Sequence, residues 1–150
     1  MKQFTWRLQR LLDLKIKEED VKRDALVAVT EQAAAARSRI LLERAGFRQM
    51  LSELRDKDGR VRLAEQQLLL TYTHVFDSRM KGLEEHLAAL EKLRLARIEE
   101  ILEIRKLRKG LEKLREKARS EFMRKEHKLE QHEADEHTSM RFARALIERS

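Results

Sequence analysis

Five histidines are the side chains in this sequence best suited to metal or proton chemistry: His74, His86, His127, His132 and His137. The last three recur every five residues. On a helix a five-residue step turns through about 500°, so successive side chains point about 140° apart and do not converge on one ion. The segment from His132 also misses the zinc pattern H-E-x-x-H by one place, because Glu136 stands where the second histidine belongs. The reading that remains is a solvated helix with local pairs such as His132 with Glu136, four residues apart. No metal site is expected.

Nucleophilic and phosphate chemistry are equally poorly served. The chain has no cysteine, and its serines (38, 52, 78, 120, 139 and 150) lie in polar helical or terminal contexts. Gly110 stands alone in a helical run, so no glycine-rich phosphate loop exists. Neither an enzyme nor a cofactor is expected. Arg105, Lys106, Arg108 and Lys109 form the densest basic run. Phosphates could attract it, but Glu99, Glu100, Glu103, Glu112 and Glu116 flank it and few aromatics interleave for base stacking. A solvated face or an acidic protein partner fits better than nucleic acid.

The elements that carry these residues follow from composition. In 150 residues there is no proline and there are four glycines, while charged residues make up 41% and aromatics 5%. Turns draw on Gly and Pro, so few turns are expected. A coiled coil needs only a narrow apolar seam and tolerates charge elsewhere. The 41% hydrophobic content argues against disorder, and the net charge of +7 comes from interspersed signs. The absence of cysteine suits a reducing cytoplasm. Charges recur from Lys2 onward, so neither a secretory leader nor a membrane-spanning run is expected.

Apolar positions at Leu26, Val29, Ala33, Ala36, Ile40, Phe47, Met50 and Leu54 alternate in steps of three and four, with Glu43 the one lapse. The earlier set Phe4, Leu8, Leu11, Leu12 and Ile16 is amphipathic in another phase, since Glu19 and Lys22 occupy the positions that would continue the later seam. A second stripe runs through Phe76, Met80, Leu83, Leu87 and Leu90, then Ile98, Ile101, Ile104, Leu107, Leu111, Leu114, Ala118 and Phe122. Asp56-Lys57-Asp58-Gly59 is the clearest break. The expectation is therefore an all-α fold, a long antiparallel two-helix coiled coil or helical hairpin. It forms one domain over 1–150, with arms at about 1–55 and 74–130 and a turn near 56–60. An arm of about 55 residues reaches about 80 Å. Residues 61–72 read as either a short helix or an irregular link, and the region after Arg124 as a frayed helix ending in a stripe of Met140, Ala143 and Ile147. The few aromatics gather where the hairpin would end: Phe4 and Trp6 at one tip, Phe47, Tyr72 and Phe76 at the other. They serve either as plugs of the coiled coil or as docking surfaces.

The opening Phe4-Thr5-Trp6-Arg7-Leu8-Gln9-Arg10-Leu11-Leu12-Asp13-Leu14-Lys15, followed by Glu18 and Glu19, resembles the N-terminus of the flagellar export protein FliJ family. The stretch from Gly59-Arg60-Val61 to Tyr72, Phe76 and Met80 resembles the family's segment between its two long helices. The tail, Leu111-Glu112-Lys113-Leu114-Arg115 with Ala134-Asp135-Glu136 and Met140-Arg141-Phe142-Ala143-Arg144, is similar to its C-terminal region.

The resemblance implies a non-enzymatic stalk of the flagellar type III export apparatus. Its partners would be the flagellar export ATPase hexamer, the cytoplasmic domain of the export-gate membrane protein, and export chaperones. It would lie in the cytoplasm, held at the cytoplasmic side of the cell membrane through the apparatus, with no direct membrane insertion and no nucleic acid. Phe47, Tyr72, Phe76, Met80 and Leu83 would face the gate; Arg44 and Arg48 stand where family members can carry aromatics. Trp6, Arg7, Arg10 and Lys15, brought beside Arg119, Arg124 and Lys125, would form a cationic tip for the ATPase. Three alternatives stand beside this reading: a virulence type III secretion stalk, a basic nucleic-acid-associated coiled coil, and a homodimeric scaffold.

Overall fold

The computed structural model describes residues 2–57 and 59–150; Met1 and Asp58, and the side chains of Arg60 and Val61, lie outside the described residues. The turn expected near 56–60 falls partly on them. Two helices account for nearly everything else: α1, Gln9–Arg55, and α2, Gly59–Arg149. Helix α1 starts where the non-helical segment 2–6 turns, with the Gln9 amide donating to the Trp6 carbonyl at 3.2 Å. It stops at Asp56, and the Lys57 amide donates to the Leu54 carbonyl at 3.4 Å. Lys57 Nζ donates to both carboxylate oxygens of Glu65 at 2.8 Å, tying the end of α1 to the second turn of α2. Residues 61–72 are thus helix, continuous with the rest of α2.

Helix α2 tolerates Gly82 and Gly110 because each costs only about 1 kcal/mol relative to alanine, too little to interrupt 91 residues of helix. A Cβ built at Gly46 or Gly82 would meet no atom within 4 Å.

The fold class is all-α, two long helices packed against each other. Contacts divide the chain into two units: residues 19–103, and residues 2–18 with 104–150. In the first, α1 and α2 run antiparallel as a helical hairpin. Ala33, Ala36 and Leu90 form one buried cluster, with Leu87 against it. The two alanines carry little bulk, so the partner helix approaches closely there. Ile40, Phe76 and Met80 form the next cluster, flanked by Phe47, Tyr72, Leu83 and Leu87. Ion pairs cross between the arms along their edges: Arg37 with Glu91, Arg44 with Glu84 at 2.6 Å, and Arg79 with Glu43 at 3.4 Å.

The buried line on α1 does not slip where the sequence pattern breaks. Glu19 is 3% exposed and Lys22 is half-buried, in the same three-and-four phase as Leu12, Leu26 and Val29. Leu8, Leu11 and Ile16, which suggested another phase, are partly exposed instead. On α2, Leu107 and Leu114 leave the seam, at 56% and 53% exposure, and Arg108 and Arg115 lie partly buried in their place. The reason is geometric. From Ile101 and Ile104 the seam advances by four to Arg108, by three to Leu111 and by four to Arg115, and leucines one residue earlier point to its side.

Two stability measurements follow. Ile40→Asp places an unpaired charge in a closed layer and should cost several kcal/mol, whereas Leu107→Asp should move the melting transition by no more than the roughly 0.5 kcal/mol typical of surface changes. Equal losses for the two would mean that Leu107 belongs to the seam. Gly82→Ala should raise stability by about 0.5–1 kcal/mol; a lower melting temperature would show that the site is not open.

Candidate interaction surfaces

In the unit of residues 19–103 the aromatic residues assemble one by one from helical spacing. Tyr72, Phe76 and Met80 are four residues apart on α2, so they project from one face. Phe47 reaches that face from α1. Its ring stacks on Phe76 at 4.3 Å between centroids and 9° between planes, and lies 6.5 Å from Tyr72. Tyr72 and Phe76 are also 6.5 Å apart. Of the five residues expected to face the gate, Phe76 and Met80 are the interior of this stack, at 8% and 6% exposure, while Phe47, Tyr72 and Leu83 are half-buried rim. Arg44 is paired with Glu84, and Arg48 is exposed. Toward the bend, Tyr72 closes one side of a cleft of about 340 Å³ lined also by Met50, Leu54, Leu68 and the Lys57–Glu65 pair. The cleft is apolar at its centre and charged at its edge, a shape that accepts an apolar side chain.

A polar layer crosses the same unit. Glu19 accepts from Arg23 Nη2 at 3.3 Å. Lys22 Nζ donates to Glu100 at 3.0 Å across the two arms, and Arg97 Nη1 donates to both oxygens of Glu100 at 3.1 and 3.3 Å. The hydrogen bond from Lys22, and then that from Arg97, hold the Glu100 carboxyl below its ordinary range. The Nε atoms of Arg94 and Arg97 are buried without a hydrogen bond, so the layer is incompletely satisfied.

In the unit of residues 2–18 and 104–150, Phe4 reaches from the non-helical segment to Phe122, with ring centroids 5.5 Å apart. The Arg115 guanidinium lies 5.9 Å from the Phe4 ring centre, and its Nε donates to Gln9 Oε1 at 2.8 Å. Phe4 was grouped with Trp6 by sequence; the anchoring by Arg115 and Phe122 was not visible there, because neither residue is close in the chain. Every residue expected to meet the ATPase lies in this unit. Trp6 is partly buried, Lys15 is partly buried and pairs with Glu18 at 3.0 Å, and Arg7, Arg10, Arg119, Arg124 and Lys125 are exposed. Residues 127–150 of α2 are exposed throughout. There His132 Nδ1 lies 3.4 Å from Glu136, the local pairing expected of a solvated helix. Among the described residues no three His, Asp or Glu side chains converge as a metal site, and no helix is long and apolar enough to cross a membrane.

Glu100 gives a pH test with a defined sign. A carboxyl whose pKa is lower in the folded than in the unfolded chain stabilises the fold above the unfolded value, about 4.3, and that contribution disappears as pH falls through the folded value. Glu100→Gln should therefore lower the melting temperature at pH 7, and the difference from wild type should close below about pH 4. A difference that persists unchanged in acid would assign the effect to packing.

No curated protein and no solved structure matches the chain. A family model does, described as "Flagellar FliJ protein", and its match runs over residues 3–146. That span takes in α1, the described part of the bend, the aromatic stack, the polar layer and nearly all of α2. The chain belongs to the flagellar FliJ protein family and is a component related to flagellar protein export.

Proposed function

We propose that the chain is a non-enzymatic stalk of the flagellar export apparatus, binding the export ATPase through the unit that holds the termini and the export gate through the aromatic stack. The observation that carries this is a division of chemistry. One unit presents a stack of aromatics with a half-buried rim. The other presents exposed arginines and lysines beside a partly buried tryptophan.

Each surface suits its partner on physical grounds. A rod seated in a cycling ATPase ring must make contacts that break readily, and exposed cations steer association while costing little to separate. Arg7, Arg10, Arg119, Arg124 and Lys125 meet that requirement. A gate contact needs a more lasting anchor, which a pre-stacked aromatic rim supplies. Phe47, Tyr72 and Leu83 would touch the gate, and Phe76 and Met80 would hold them in place from behind. Capture of export chaperones and residence at the cytoplasmic side of the membrane belong to the same reading, since both follow from membership of the assembled apparatus.

Two variants test the two surfaces separately. Reversing Arg7 and Arg10 to Glu should weaken association with the ATPase and its stimulation, and the loss should shrink with added salt, because exposed charges are screened within about 8 Å at physiological ionic strength. Tyr72→Ala should weaken gate binding by about 1–3 kcal/mol with the fold intact, whereas Phe76→Ala should cost about 3–5 kcal/mol of stability as a buried aromatic truncation. Wild-type ATPase stimulation by the charge-reversed chain would reject the first contact. Wild-type gate affinity of the Tyr72 variant would reject the second.

A further inference from the structure

In the unit of residues 2–18 and 104–150, five exposed leucines gather beside the seam residue Leu111. On α1, Leu8, Leu11 and Leu14 are 37%, 42% and 51% exposed; on α2, Leu107 and Leu114 are 56% and 53% exposed, and Leu111 is half-buried between them. Their spacing is orderly. Leu107, Leu111 and Leu114 are separated by four and three, and so are neighbours on one helical face. Leu11 immediately precedes the buried Leu12 of the seam, as Leu107 and Leu114 immediately precede Arg108 and Arg115. In an antiparallel pair the residues just before these seam positions lie on the same flank of both helices. The two arms of this unit thus share one apolar flank, and the Gln9–Arg115 hydrogen bond lies on the other.

The outer side of that flank on α2 is open. Gly110 falls on the face between Leu107 and Leu114, and a Cβ built there meets nothing within 4 Å. The absence of a side chain lets another backbone come close. Outward of the leucines come exposed lysines, Lys17 on α1 and Lys106, Lys113 and Lys117 on α2. Two carboxylates share the flank, Glu121 and Glu18, the latter paired with Lys15 at 3.0 Å, whereas Asp13 accepts from Gln9 at 3.0 Å and Glu112 pairs with Arg108 at 2.8 Å away from it, so the lysines outnumber the acids beside the leucines. The flank is therefore apolar at its centre and cationic at its border.

We propose that this leucine flank is a groove for one amphipathic helix of a partner protein, seated as a third strand with its apolar stripe on Leu11, Leu107, Leu111 and Leu114 and its acidic residues facing the lysines. A second copy of this chain is a poorer occupant, since a symmetric pairing would set lysine border against lysine border. A lipid surface is also poorer. The flank has none of the aromatic side chains that settle at a lipid interface, and it is shared by two helices, not presented as one convex stripe. The inference concerns the flank of this unit and does not rest on the stalk reading.

The test selects binders from a displayed library of amphipathic helical peptides of varied charge, using the full chain as bait. Recovered peptides should carry apolar residues in three-and-four spacing with Asp or Glu beside them. Their affinity should fall at least tenfold on the Leu107→Lys, Leu114→Lys double variant, and at least tenfold on Gly110→Trp, which sets a bulky ring beside Leu107 and Leu114. Both variants should retain the wild-type melting transition. Leu42→Lys, at a 73% exposed leucine in the other unit, should leave affinity unchanged. Peptides that bind both variants like wild type, a basic or extended consensus, or an empty selection would overturn the proposal. So would binding to phosphatidylglycerol vesicles that these substitutions abolish while peptide binding survives, or a dimer in sedimentation that the same substitutions disperse.

Discussion

Two helices have only one seam to share, and the rest of this structure follows from keeping it in phase. A three-and-four step must continue on both arms whether or not an apolar residue happens to fall on it. When Glu19 and Lys22 arrive at those positions, the helices do not rotate to avoid them. They keep phase and surround the polar atoms with Arg23, Arg97 and Glu100. Rotation would have exposed Leu12, Leu26 and Val29 together, a larger loss than one paired layer. The same constraint leaves Leu107 and Leu114 to one side and brings Arg108 and Arg115 inward, where long apolar stems can lie along the seam while their charged ends find Glu112 and Gln9.

Much of this was legible in the residues. Two long helices and a break at Asp56 follow from glycine and proline usage and from the spacing of Val29, Ala33, Ala36 and Ile40, all of which are buried. What was not legible is which of two neighbouring stripes would be used. Leu111 belongs both to the seam and to the stripe of Leu107 and Leu114, so periodicity alone cannot separate them. Glu19 looked like an interruption because a carboxylate is read as surface until its cationic partners are known. Arg23 lies one turn along the same arm, and the rest of the layer, Arg97 and Glu100, lies on the other arm, far away in sequence.

The candidate surfaces divide in the same manner. Composition showed that the aromatics gather in two places. It did not show that Phe76 and Met80 are interior and that Phe47, Tyr72 and Leu83 are rim, since that depends on the angle at which α1 crosses their face. The basic set was easier, because exposed Arg and Lys are the default on a solvated helix. Arg115 was the exception: its position beside the Phe4 ring is set by a non-helical segment whose path no helical period describes.

The bonds that join the two arms form a ladder in sequence separation. Arg79 and Glu43 are 36 residues apart, Arg44 and Glu84 are 40, Arg37 and Glu91 are 54, Lys22 and Glu100 are 78, and Gln9 and Arg115 are 106. Folding that begins beside the bend therefore closes each later rung at small extra entropic cost, because loop entropy rises only as the logarithm of loop length. A chain that zips in this order gains its aromatic stack early and its Gln9–Arg115 bond late. During synthesis α1 emerges whole before any of its partners exist, so its seam residues Val29, Ala33, Ala36 and Ile40 wait in a single helix until α2 follows. The long-range contact of Phe122 with Phe4, which precedes α1, spans the longest loop of all and closes after these rungs.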